Sequence, residues 1–384
     1  MKRTLFLFLS VALLMLLCAC NNNTANPQTT TAETTAAPDD TTEFTVEIDL
    51  NEKSLNDADF PFDEYVKLAD LKDIKVSVSE KEEITDEYVD KWIRSALTNL
   101  GHFTKDDSKT TVSDGDVVSI DFESMIDGEE YSGGIQNDFY FLVGADAFVA
   151  DLENALIGKN VGDTFDVSVK YPDDYSVETL AGKTADFTVT VNYLGIPNEL
   201  DEENVKDISD GKYTSVDEYV SYVTTMLKIS AEFSYDNALS EAIWSQITEK
   251  AEIIKLPARD RLAACEEMIE YITIMSEESG YTYADFLEAQ EYTENSFLEF
   301  LYNEHSVEIV TEQLIVAAVC DKAGVSNTID DDEYSAEAEK YALYYGYNTV
   351  TELEGALGKD ALKEMITFNK MTKQLVYKVT VEYN

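Results

Sequence analysis

The sequence predicts an α+β chain in which an antiparallel sheet with one short helix is followed by an all-α region. Three observations predict it. Between Val117 and Tyr193 several runs alternate apolar and polar residues at period two, the signature of half-buried strands. After Pro197 that alternation stops, and helical spacing with N-capping signals replaces it. The acidic excess, 77 Asp and Glu against 28 Lys and Arg for a formal charge of −49, is dispersed among aromatics and aliphatics, as on a solvated globular surface. A charge of that sign argues against nucleic acid or anionic lipid as the main partner of the folded body.

In chain order, Lys2 and Arg3 precede an apolar stretch, Leu5–Leu17, broken only by Ser10. It is too short for a spanning helix and suits a signal peptide. It ends Leu17-Cys18-Ala19-Cys20, which resembles the lipobox of bacterial lipoproteins. The small residue at 19 admits a peptidase, and Cys20 is then the acylation site; an ordinary secretory signal with incidental cysteines is the alternative. Residues 1–19 are accordingly read as a lipoprotein signal peptide. Residues 20–43, rich in Asn, Thr, Ala and Pro without apolar periodicity, are read as a disordered tether. The expected location is the outer side of the cytoplasmic membrane, held by a lipid anchor that two acyl chains make stable.

Residues 44–112 read as an N-terminal α+β or linker segment. Phe44–Leu50 and Ile74–Val78 alternate as strands do, and Thr85 opens a helix with Asp86 and Glu87 in its first turn and Val89, Trp92, Ile93, Ala96 and Leu100 on one face. Ser113-Asp-Gly115 is a turn that starts the next domain, 113–196. There Val118, Ile120 and Phe122 share a face opposite Ser119, Asp121 and Glu123, and Asp127-Gly128 is a hairpin turn. Phe139–Val143 is an apolar strand, Phe148–Ile157 a short amphipathic helix closed by Gly158, and the alternations at 165–171 and 187–193 are two further strands.

Residues 197–384 read as five or six helices. Ser215–Glu218 and Thr349–Glu352 are capping boxes, Pro257 starts a helix running toward Gly280, Thr282 and Thr293 are N-caps, and Leu362–Val379 is the last long helix. Cys265 and Cys320 leave a disulfide and two buried thiols both open. His102 and His305 are far apart without cysteine neighbours, so no metal site or cofactor is expected. Asp330–Glu333 lacks the alternating ligand spacing of a calcium loop and reads as a solvated run.

Residues 115–195 carry an ordered set of motifs: Gly115-Asp-Val-Val-Ser-Ile-Asp-Phe122, Asp127-Gly-Glu-Glu-Tyr131-Ser-Gly-Gly134, Asp138-Phe-Tyr-Phe-Leu-Val-Gly144, Leu156-Ile-Gly-Lys159 with Gly162, Tyr171-Pro-Asp-Asp-Tyr175, and Leu180-Ala-Gly-Lys183 with Phe187. Through them the chain resembles the FKBP family and, within it, the isomerase domain of the trigger factor family. The resemblance implies a shallow apolar pocket for a prolyl side chain built from Phe122, Tyr131, Phe139, Phe148, Val149, Leu152, Tyr175 and Phe187. The Val149 N–H and the Tyr175 hydroxyl would hold substrate carbonyls. Where the family has a glycine and then a large aromatic at the pocket floor, this sequence has Ala150-Asp151-Leu152, a smaller floor with a charge beside it. Ser132 stands where the family often has an acid.

The helical region is similar to the trigger factor C-terminal chaperone domain through Ile254-Lys-Leu-Pro257, Gly280–Phe286, Leu314–Gly324 and Gly358–Leu362. A ribosome-docking N-terminal domain is not recognisable in 44–112. The resemblances together imply an exported foldase that isomerises X-Pro segments of unfolded or newly translocated polypeptides, with no ribosome partner. A non-catalytic holdase, with the sheet domain binding peptide only, is the alternative. A two-lobed solute-binding protein would need alternating strands and helices that the chain lacks.

Overall fold

The computed structural model describes residues 44–384 except Ile48, Leu50, Asp146, Asp173, Asp174, Ser176 and Glu178. The signal peptide, the acylation site Cys20 and the tether expected from the sequence lie outside the described residues. In chain order the strands are β1 (Val66–Lys67), β2 (Lys75–Val78), β3 (Phe103–Lys105), β4 (Val117–Ile126), β5 (Glu129–Leu142), β6 (Thr164–Lys170), β7 (Thr184–Pro197), β8 (Glu252–Ile253) and β9 (Thr380–Tyr383). The α-helices are α1 (Asp86–Asn99), α2 (Ala150–Leu156), α3 (Glu202–Ile208), α4 (Val216–Lys250), α5 (Ala258–Glu278), α6 (Tyr283–Ala289), α7 (Glu294–Phe300), α8 (Ser306–Ala323), α9 (Asp331–Tyr344), α10 (Val350–Leu357) and α11 (Lys359–Leu375). Contacts group residues up to Val78, Ala238–Tyr334 and Asp360–Asn384 into one unit, and Ser79–Asn237 with Ser335–Lys359 into another.

The second of these units holds the five-stranded sheet. β7 is its spine: residues 184–190 pair with β6, residues 195–197 with β3, and its other edge with β4, which in turn pairs with β5. All these pairings are antiparallel, as short hairpin connections permit. Asp127 and Gly128 both have positive φ, 55° and 80°, the geometry whose twist suits a two-residue hairpin between β4 and β5. Val118, Ile120, Phe122, Phe141, Val169, Phe187, Val189 and Val191 bury one face of the sheet against Leu152 and Leu156 of α2.

The other face departs from the simple alternation. Ser119, read as outward-facing, is wholly buried, and its hydroxyl lacks a partner among the described residues. Its cross-strand neighbours are Tyr140 and Tyr193, and the Phe103 ring packs 5.0 Å from Tyr140 and 6.5 Å from Tyr193. An aromatic cover thus closes over a position that period two alone assigns to solvent.

Helix α1 starts at Thr85, whose hydroxyl accepts from the Tyr88 N–H at 3.1 Å. Its buried stripe is Val89, Ile93 and Leu97, packed with Val205, Tyr219, Val223 and Leu227. Trp92 and Ala96 are only half-buried and Leu100 is exposed, so the expected face is rotated.

In the first-named unit, the described residues among Phe44–Leu50 form no strand; the Phe44 N–H donates instead to Asn295 Oδ1 at 2.5 Å. Alternation predicts which side is buried, but a strand also needs a partner edge. β2 finds one in β9, with Lys75–Val78 lying parallel to Thr380–Tyr383. The last helix accordingly stops at Leu375, earlier than the Val379 expected, because Thr380–Tyr383 is taken up by that pairing. Among the described residues after 197 there are nine α-helices, more than the five or six expected, because the chain breaks at short capped turns. Thr282 with Asp285 and Thr293 with Ser296 form complete capping boxes. The Asp330–Glu333 run does the same work: the Glu333 N–H donates to Asp330 and the Asp330 N–H to Glu333, at 2.8 and 3.3 Å. Cys265 and Cys320 are both buried free thiols, and burial pushes the Cys320 thiol up to about 11. Among the described residues no helix is long and apolar enough to cross a membrane.

Candidate active site

The helix-covered face of the sheet gathers aromatic side chains from four segments. Phe122 sits on β4 opposite Val189 of β7, and Phe187 sits on β7 opposite Ser124. Phe139 comes from β5, and Phe148 from the turn before α2. The Phe122 ring lies 6.0 Å from Phe139, 5.8 Å from Phe148 and 5.5 Å from Phe187, and Phe148 meets Phe187 edge-on at 5.9 Å. Edge-to-face contacts at these distances hold rings in fixed orientations. They bound a cavity of about 240 Å³, lined also by Tyr131, Tyr171, Tyr175, Leu180, Ser132, Gly133 and Gln136. That is below the roughly 300–1,000 Å³ of sites for whole small molecules, and fits one apolar side chain on a longer ligand.

A bulge aims one wall. Between Ile120 and Phe122 the β4–β5 register slips, and Asp138 takes a positive φ of 50°. The Asp138 N–H donates to Asp121 Oδ1 at 2.8 Å, and Asn192 donates to the same oxygen at 2.7 Å. Those two bonds hold the Asp121 carboxyl below its usual range. On the opposite wall the Tyr131 hydroxyl lies 2.7 Å from Ser124 Oγ and 3.2 Å from the Tyr171 hydroxyl. Burial, then the bond to Tyr131, pushes the Tyr171 phenol well above its ordinary value, so it stays neutral. Gly134 is required here, since a Cβ would stand 2.8 Å from the Ser124 carbonyl and 3.2 Å from the Tyr131 ring.

The third wall depends on a residue that the sequence reading passed over. Glu153 of α2 is buried, and its carboxylate accepts from the Gly144 N–H at 2.6 Å and the Phe148 N–H at 2.8 Å. It therefore ties the 144–148 turn, and with it the Phe148 ring, to the helix. A buried acid in an amphipathic helix between Leu152 and Leu156 was the available signal.

Of the eight residues taken from the resemblance, Phe122, Tyr131, Phe139, Phe148, Tyr175 and Phe187 line the cavity. Val149 packs beside it at the N-cap of α2, and among the described residues its N–H has no acceptor. The Tyr175 hydroxyl likewise has no partner among the described residues, and its ring lies 4.7 Å from that of Tyr171. Leu152 is wholly buried in the same core but does not line the cavity. Asp151 is exposed and accepts from the Lys170 N–H at 3.5 Å, so its charge faces β6. Tyr171 and Leu180 are lining residues absent from the sequence-derived set; alternation alone marks Tyr171 as a strand residue like any other.

Comparison with known proteins places this geometry. Residues 108–192 match the family described as FKBP-type peptidyl-prolyl cis-trans isomerase, and residues 215–382 match the bacterial trigger factor C-terminus. The trigger factor of Streptococcus equi subsp. zooepidemicus strain H70 is 31% identical over 311 residues, covering 79% of this chain and 70% of that protein. That of Streptococcus mutans serotype c is 32% identical over 315 residues, covering 79% and 70%. A chain from a solved structure of the trigger factor chaperone matches 82% of this chain and 72% of its own length, at 15% identity and a TM-score of 0.30. The sequence relatives carry the assignment. With matches of that kind running through both the sheet and the helices, the chain belongs to the trigger factor family, its cavity lying in the FKBP-type domain.

Proposed function

We propose that this protein is an exported, lipid-anchored foldase, a peptidyl-prolyl cis-trans isomerase joined to a chaperone domain for unfolded or newly translocated polypeptides, acting away from the ribosome. The observation that carries the catalytic part is the aromatic cavity with two hydrogen-bond donors beside it, the Val149 N–H and the Tyr175 hydroxyl, that are unused among the described residues. Rotation about an X-Pro bond needs neither nucleophile nor acid. The barrier, about 18–20 kcal/mol, comes from resonance that keeps the amide planar. An apolar pocket disfavours the charge-separated planar form, and donors that hold the flanking carbonyls favour the twisted one. Phe122, Phe139, Phe148 and Phe187 exclude water from the prolyl ring, Tyr131 and Leu152 support the walls, and Val149 and Tyr175 orient the chain. Uncatalysed isomerisation takes roughly tens to hundreds of seconds, long enough to limit folding outside the cell.

The test is cis/trans exchange in a proline peptide, comparing wild type with Tyr175→Ala and Phe187→Ala. Acceleration that both variants lose supports the reading. No acceleration by wild type, with aggregation of a denatured client still suppressed, selects the non-catalytic holdase. Residues 197–384 are proposed as the client-binding domain; a truncation at Pro197 that suppresses aggregation as well as the whole chain does would refute that. Anchoring rests on Leu17-Cys18-Ala19-Cys20. Cys20→Ser should abolish fatty-acid labelling and release the protein from membranes, and a variant still labelled and membrane-bound would overturn it.

A further inference from the structure

A second cavity, about 550 Å³ and thus more than twice the prolyl pocket, lies in the same unit between α1 and β5. From α1 it is lined by Trp92, Ser95, Ala96 and Asn99, spaced as one helical stripe and distinct from the buried stripe Val89, Ile93 and Leu97. From β5 it is lined by the unbroken run Gln136–Phe141. Side chains of a strand alternate between faces, so consecutive residues share one cleft where it follows the strand's edge and where, as at the bulged Asp138, the alternation is interrupted. That edge is open: among the described residues β5 pairs with β4 alone.

We propose that this cleft holds the polypeptide flanking the prolyl residue, laid along β5 as an added strand. An open edge presents backbone donors and acceptors to an extended chain, and alternate side-chain pockets then set preference. The cleft and the prolyl pocket are adjacent, since Gln136 and Phe139 line both. The side chains of Ser95, Asn99, Gln136 and Asn137 make no hydrogen bond among the described residues, which leaves their polar groups to a peptide backbone. Five steps of strand from Gln136 to Phe141 cover about 17 Å, enough for roughly five substrate residues. Asp138 is the one charged residue lining the cleft among the described residues, within a chain of formal charge −49, so flanking residues that are apolar or basic fit and acidic ones do not. The inference rests on the prolyl reading for the register of the bound chain, and its test separates the two.

The experiment uses the full chain and two fluorescent peptides: a prolyl tetrapeptide, and the same core extended by about five apolar or basic residues on each side. Affinity is read by anisotropy and catalysis by exchange of the tetrapeptide. The extended peptide should bind about tenfold tighter than the tetrapeptide, the gain from one or two net hydrogen bonds. Ala96→Tyr, which fills the cleft and lies outside the prolyl pocket, should remove that gain and leave tetrapeptide exchange unchanged. Asn99→Trp, at an exposed position, repeats the test should Ala96→Tyr lower the unfolding temperature. Glutamates in the extensions should weaken binding severalfold. Equal affinity of wild type for the two peptides, or a gain that survives both variants, overturns the proposal. So does a dimer in sedimentation that Ala96→Tyr dissociates, which would give the cleft to a second copy. Failure of tetrapeptide exchange, with extended-peptide binding still lost in Ala96→Tyr, would instead refute the isomerase reading and leave the cleft standing.

Discussion

Replacing Glu153 by alanine tests whether the prolyl pocket is held by packing alone or by a buried carboxylate. Among the described residues that carboxylate accepts backbone N–H bonds from Gly144 at 2.6 Å and Phe148 at 2.8 Å. A hydrogen bond to a charged group contributes about 1.5–3 kcal/mol, so these two together contribute about 3–6 kcal/mol. Part of this is recovered, because the turn they hold includes the exposed Ala147 and water can reach the released groups. The expected loss in local opening free energy is therefore about 2–4 kcal/mol. Glu153→Gln keeps an acceptor oxygen without the charge and should lose about half as much. Native-state hydrogen exchange at the Gly144 and Phe148 amides measures this directly. Because Phe148 stands 5.8–5.9 Å from Phe122, Phe139 and Phe187, its release should also slow tetrapeptide exchange about tenfold or more. Unchanged protection at both amides in Glu153→Ala would refute the reasoning, whatever happened to catalysis.

Tyr175→Phe removes a hydroxyl with no partner among the described residues, so stability should stay within about 0.5 kcal/mol in thermal unfolding while exchange slows about tenfold or more. Phe187→Ala combines wall and core: Phe187 is 1% exposed, and the cavity left should cost about 3–5 kcal/mol in urea unfolding as well as activity. The raised Tyr171 phenol favours the folded state below the unfolded tyrosine value near 10, and that contribution is lost as pH rises through the higher folded value. Tyrosine absorbance and tetrapeptide exchange should therefore show no pocket transition between about pH 6 and 9, with loosening only in strong base. Cys265 and Cys320 should resist a thiol reagent at neutral pH in the native chain and react at once in denaturant, since burial raises both.

What the sequence determined by itself was whatever is encoded locally or in an ordered series of motifs. The Asp127-Gly128 hairpin, the Thr85, Thr282 and Thr293 caps and the period-two strands between Val117 and Pro197 stand where the spacing puts them, because turn chemistry and capping are settled within a few residues. Six of the seven aromatics around the cavity were named through the family resemblance that the motif series carries, and Tyr171 was not. Tertiary structure alone decided the features that depend on a distant partner. It gave β2 its mate in β9, roughly 300 positions away, and denied the described part of Phe44–Leu50 any. It buried Ser119 under aromatics from β3, β5 and β7, turned Asp151 toward β6, and brought Glu153 onto the amides that fix Phe148. It also opened a cleft beside β5 that no periodicity marks. Local propensity fixes which face a side chain prefers; only the folded chain decides what stands opposite that face, and so which groups are buried, paired or left for a ligand.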